Sequence, residues 1–192
     1  LPLFTVASTL NRDNTSNVGW TYYDGFGRVS RIRYDTPKFG GLTGAISLNS
    51  GDRREAALRY RGAVGPGKLL GNLGYADSAE GENDRNMLGV GYKLNSGFSF
   101  SYSLNSRTQL NNPDLESQLF SVNYQLNKWI FSLDAGDQGV DGENKVKSVG
   151  FQYKESKPLS FYGAYTAFDN ADDSTLDAFF VGVRYTFAVD VL

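Results

Sequence analysis

The chain has 192 residues, 40% hydrophobic and 21% charged, with a formal net charge of −2; this is the length of one domain, neither disordered nor built from membrane helices. It contains no cysteine and no histidine, which excludes disulfide scaffolds, cysteine nucleophiles, Ser-His-Asp triads and the usual zinc sites. A near-neutral, slightly acidic balance gives no global positive field to gather nucleic acid.

The opening Leu1-Pro2-Leu3-Phe4 shows no charged n-region and no small-residue cleavage site, so no signal peptide is expected there. From residue 28 the apolar residues recur with period 2, the signature of strands. Eleven strands are expected, at about 28–36, 41–49, 54–62, 68–76, 86–95, 97–105, 117–126, 128–135, 145–154, 158–168 and 177–187. The stretch 97–105 is the clearest: Phe98, Phe100, Tyr102 and Leu104 share one face, Ser99, Ser101, Ser103 and Asn105 the other. No stretch has a helical period, and the densest apolar run, residues 178–183, falls far short of the ~20 residues of a membrane helix.

The connections alternate in character. Residues 37–40, 63–67, 96, 127 and 155–157 form short turns; 50–53, 77–85, 106–116, 136–144 and 169–176 form mostly longer, polar and often acidic loops. Strands of about ten residues with short turns at one end and long loops at the other are the pattern of an antiparallel transmembrane β-barrel. The apolar face would meet lipid, and the face of Ser, Gly, Asn and Thr would line a water-filled lumen. Tyr34, Tyr60, Tyr75, Tyr92, Tyr153 and Tyr185 are expected toward one set of strand ends, as an aromatic girdle.

Several motifs carry no chemistry in this setting. Residues 62–69 nearly spell a phosphate-binding loop around Lys68, but Leu69 stands where Ser or Thr is required and a strand follows instead of a helix. Asn14-Thr15-Ser16 fits a glycosylation acceptor. The acidic loops lack the spacing of a calcium site. No catalytic group, metal site or cofactor is expected. A basic constellation stands out instead. Parity puts Arg31, Arg33, Arg59 and Arg61 on the small-residue face, around a strand offering Thr43, Ala45 and Ser47; Lys93 and Arg184 add to the set. Charge in a narrow, low-dielectric-walled channel focuses field, so these residues are candidates for lining a pore.

The stretch Arg28-Val-Ser-Arg-Ile-Arg-Tyr-Asp-Thr-Pro-Lys-Phe-Gly-Gly-Leu42, together with Val181-Gly-Val-Arg-Tyr-Thr-Phe187 near the end, resembles the Gram-negative trimeric general porins. The first matches the stretch after the family's constriction loop, and the second its closing strand. Five residues follow Phe187 here, whereas the family normally ends on that Phe. The resemblance implies a single barrel domain over 1–192, with residues 1–27 as a constriction-loop-like segment and 28–187 as strands six to sixteen of a sixteen-stranded barrel. Strands one to five would then be absent from this chain; alternatively residues 1–8 or 18–23 add a strand and close a twelve-stranded barrel. The resemblance further implies passive diffusion of ions and small hydrophilic solutes across the Gram-negative outer membrane, with lipid and lipopolysaccharide around a homotrimer. Asp13 and Asp24 would be the loop acids facing the basic wall. A non-conducting barrel serving as anchor or adhesin is the alternative, and neither reading is an enzyme.

Overall fold

A computed structural model describes residues 30–78, 84–109, 111–140, 144–156 and 158–185. Among them the regular structure is entirely β: β1 (Arg31–Asp35), β2 (Leu42–Asn49), β3 (Arg53–Val64), β4 (Gly67–Asp77), β5 (Arg85–Leu94), β6 (Phe98–Gln109), β7 (Asn112–Leu126), β8 (Trp129–Gly139), β9 (Asn144–Lys154), β10 (Leu159–Asp169) and β11 (Thr175–Tyr185). All eleven join one sheet in sequence order, each antiparallel to the next. β1 and β11 are its edges and do not pair with each other. The expected loop-like segment 1–27, the start of the first expected strand and Phe187 lie outside the described residues.

Eleven strands agree with the alternation of the sequence, but several are longer than expected. β6 and β7 continue to Gln109 and from Asn112, with a register shift between Arg107 and Gln109, and β8 runs to Gly139 with β9 starting at Asn144. The expected loops 106–116 and 136–144 are therefore largely strand. Apolar alternation cannot reveal such extensions, because residues such as Arg107, Glu116 and Asp137 are polar whichever face they occupy. The antiparallel ladder carries on because each neighbour still supplies backbone partners.

The turns at the opposite end are tight, as expected. Asn127 takes a left-handed conformation in the two-residue turn between β7 and β8. Gly97 enters β6 at φ +98°, and a Cβ there would run into the Gln125 carbonyl oxygen. Gly97→Ala is thus expected to destabilise the protein by about 1–3 kcal/mol, read as a lower urea midpoint of the folded protein in vesicles.

The sheet is inside-out by the standard of a water-soluble domain. Large apolar side chains are exposed along one face of every strand, including Ile32, Leu58, Leu73, Val90, Phe100, Phe120, Leu133, Val149, Phe161 and Val181. Phe98 and Phe100 are on that face and exposed, and Tyr102 beside them is half-buried. The opposite face holds the buried small polar residues Ser47, Ser117, Ser121, Ser132, Ser148, Ser160 and Thr166. Here Ser148 and Thr166 share a 2.8 Å hydroxyl hydrogen bond across β9 and β10. Among the described residues the buried apolar cluster is small, Val146 and Phe168, on that same polar face. An exposed apolar surface of this extent is stable only against another apolar medium.

The boundary of the apolar face gives the strand tilt. On β3 the first charge of that face, at the loop end, is Arg54, opposite Asp77. On β11 it is Asp177, whose row crosses the sheet through Ala167, Lys147, Ala135, Phe120, Tyr102, Val90 and Gly71 to reach Tyr60 on β3. Tyr60 is six residues along β3 from Arg54. A drop of six residues at ~3.3 Å each, over eight intervals of ~4.8 Å, is a tilt of about 27°, in the same sense as, and somewhat less than, the inclination of strands in transmembrane barrels.

The aromatic girdle differs from expectation in one respect. Tyr60, Tyr92, Tyr153 and Tyr185 lie toward the short-turn ends, but Tyr75 ends β4 at the loop side and Tyr34 shares its row. Parity fixes a residue's face, whereas strand direction fixes its end. At the short-turn side the belt is reinforced by Trp129, whose ring lies 4.8 Å from that of Tyr153, and by Phe98, 4.4 Å from Tyr124.

Candidate pore-lining wall

Strand pairing carries each candidate cation to a definite place on the polar face. Arg31 is opposite Asn49 and Arg33 opposite Ser47, across β1 and β2. Arg59 is opposite Thr43 and Asn72, and Arg61 opposite Leu70. Lys93 faces Lys68 and Ser99, and Arg184 faces Ser160. All six share the face of the buried serines. Arg31, Arg33, Arg59 and Arg61 fall on three strands at one edge of the sheet, β1 to β3, whereas Lys93 is two strands on and Arg184 lies on the far edge. Asp13 and Asp24 lie outside the described residues.

The four arginines are not equivalent. Arg33 grips Asp35 through Nε and Nη2, with N···O distances of 2.6 to 3.1 Å. These residues are two apart on a strand, so both side chains emerge on the same face. Arg31 donates to Glu55 Oε2 at 3.4 Å, and the Ser47 hydroxyl donates to the same oxygen at 2.8 Å. Arg59 and Arg61, both exposed, have no carboxylate within 4.0 Å among the described residues. Among the described residues, two of these four arginines are thus ion-paired and two are not, Arg59 acting on Asp35 only at longer range.

Parity of the full sheet also shows members that the motif-led reading omits. Arg53, Lys68, Arg85, Arg107 and Lys154 belong to the polar face, as do the acids Asp35, Glu55 and Asp134. Asp134 is buried and sits opposite Ser121 and Ser148. From β1 to β6 the polar face thus presents nine cations against Asp35 and Glu55. The signal for Lys68 was legible, since it alternates with Leu69; Arg53, Arg85 and Arg107 are near strand ends whose extent the sequence leaves vague.

At the two rims, charge is held locally. In the short-turn segment after β9, a hydrogen bond with the Tyr153 side chain, then Lys128, hold the Glu155 carboxyl below the usual carboxylate range; Lys128 Nζ is 3.2 Å from its Oε2. In the loop after β10 the Ser174 hydroxyl and backbone N–H do the same for Asp172. Depressed carboxyl groups contribute stability above their unfolded pKa, and this is lost as pH falls through the folded value. Both contacts should therefore persist through neutral and mildly acidic pH. Among the described residues no group of acids is arranged to hold a metal ion.

This sheet is similar to several solved porins. The anion-selective porin from Comamonas acidovorans matches with a TM-score of 0.59 at 18% identity, over 82% of this chain and 59% of that one. A porin refined at 1.8 Å resolution matches with a TM-score of 0.57 at 15% identity, over 81% and 60%. The outer-membrane expressed OmpT of Vibrio cholerae matches with a TM-score of 0.54 at 12% identity, over 81% and 64%. The chain thus spans about 60% of the length of these porins, and at such identities the likeness is one of fold. Among curated proteins there is no significant sequence match. The family model for Gram-negative porins, however, matches residues 3–191. With its inside-out sheet, tilted strands and aromatic belts, the chain belongs to the Gram-negative porin family and is a protein of the outer membrane.

Proposed function

We propose that this protein forms the wall of a water-filled channel through which ions and small hydrophilic solutes diffuse passively. The observation that carries the reading is the division of the single sheet into an exposed apolar face and a face of small polar groups and cations. Small Ser, Gly, Asn, Ala and Thr make up about half of that face, and most of its long side chains are solvent-seeking Arg and Lys, which leaves room for water beside it; a plugged anchor barrel needs bulky interlocking residues there. The chemistry is transport without catalysis, and the residues assigned to the pore are Arg31, Arg33, Arg59, Arg61, Lys93 and Arg184, with Asp13 and Asp24 as facing loop acids from the constriction-loop-like segment 1–27.

The excess of cations on β1 to β6 supports an anion preference, with Arg59 and Arg61 as its main source. The exposed belts support a surround of outer-membrane lipid, including lipopolysaccharide, and a homotrimer is the assembly that fits the family. Reconstitution into a planar bilayer tests the reading. Discrete, ohmic single-channel steps with a reversal potential on the anion side of zero in a KCl gradient are expected. A protein that inserts and folds but passes no current would be a structural barrel instead.

A further inference from the structure

We infer that Arg61, Lys68 and Lys93 form a binding site for multivalent oxyanions at the short-turn mouth of the wall. Lys68 and Lys93 are direct cross-strand partners on β4 and β5, an arrangement that places like charges with Cβ atoms ~5 Å apart and is destabilising unless something screens it. Arg61 on β3 is opposite Leu70, one step diagonally from Lys68 on the same face. Three cations on three adjacent strands thus converge near the ends of those strands. The short turn at residues 65–66 and the Gly97 turn flank them.

Nothing among the described residues neutralises the cluster. None of the three has a carboxylate within 4.0 Å, and the Lys93 ammonium is held only by the Gln125 side-chain oxygen at 3.3 Å. The acids of the polar face are elsewhere. Asp35 and Glu55 are engaged by Arg33 and Arg31. Asp134 shares the row of Arg61 but is five strands away, on β8, roughly 24 Å along the sheet. Arg61 and Lys68 are exposed and Lys93 half-exposed, so an incoming anion can reach the donors, and no ion pair has to be broken. One guanidinium and two ammonium groups suit several oxygens on one ligand, which favours phosphate-type anions of high charge over chloride. Ser99, opposite Lys93, offers a hydroxyl at the edge.

This site rests on the polar face being the lumen wall, and the test separates the two ideas. Inorganic tripolyphosphate is added to either side of single channels in a planar bilayer. Block is expected from one side at a concentration about tenfold below that needed from the other. In Lys68→Gln/Lys93→Gln the sided block should weaken by about tenfold or more, and it should fade with rising salt in the parent protein. A channel that conducts but is blocked equally from both sides, or equally in the variant, overturns the site and leaves the channel intact; a protein that never conducts overturns the channel reading. Amine acylation of the unaltered protein gives a readout that needs no variant. Tripolyphosphate should slow modification of Lys68 and Lys93 several-fold while Lys38 and Lys145 react as before. Uniform slowing, or none, counts against the site.

Discussion

Leu133→Arg should destabilise the membrane-inserted protein by about 2–4 kcal/mol, the cost of an arginine at the midplane of a transmembrane barrel. Leu133 is 59% exposed on the apolar face of β8, four residues from Trp129 in the short-turn belt and four from Asp137, the first charge toward the loops. No position on that strand is farther from both boundaries, so an arginine there cannot easily reach water at either. The same residue introduced at Ser103, on the polar face of β6 between Gly89 and Leu119, should cost under about 1 kcal/mol, because its charge would meet the lumen. Urea titration of both variants in lipid vesicles measures the difference. Equal effects at the two positions would mean that the apolar face does not contact lipid.

The second large effect is electrical. Neutralising Arg59 and Arg61 together, as Arg59→Gln/Arg61→Gln, should move the reversal potential in a tenfold KCl gradient by roughly 10 mV or more toward the cation side, with conductance similar or higher. Removing the paired Arg33 should do less, since Asp35 already offsets its charge at 2.6 Å. Asp35→Asn should act in the opposite direction, because it frees the Arg33 guanidinium. Opposed signs for the Asp35 and Arg59/Arg61 variants identify the wall as the selectivity element. An unchanged potential in the arginine variant would reduce these residues to wall structure.

The contrast between the arginines explains how much of the wall could be read in advance. The strand count, the face of each residue and the lipid-facing character of Phe98, Phe100 and Leu133 follow from period 2 alone, because a strand sends successive side chains to opposite sides whatever surrounds it. That local rule placed Arg31, Arg33, Arg59 and Arg61 on one face, and it would have placed Lys68 there too. It has no reach across strands. Register depends on where each turn closes, so only the folded sheet sets Glu55 beside Ser47 within reach of Arg31, or Lys68 opposite Lys93. The same holds for Tyr75, whose face was legible but whose end of the sheet depends on strand direction.

The lengths of β6 to β9 were hidden for a related reason. Above the apolar band, strand and loop look alike in composition, and hydrogen bonds from neighbouring strands decide between them. Thus the sequence by itself determined an all-β chain with one face for lipid and one for water, since a two-residue periodicity is a property of each strand alone. The tertiary structure decided which charges are neutralised, which are left to meet a solute, and how far the strands tilt, since those depend on the register between chain segments far apart in sequence.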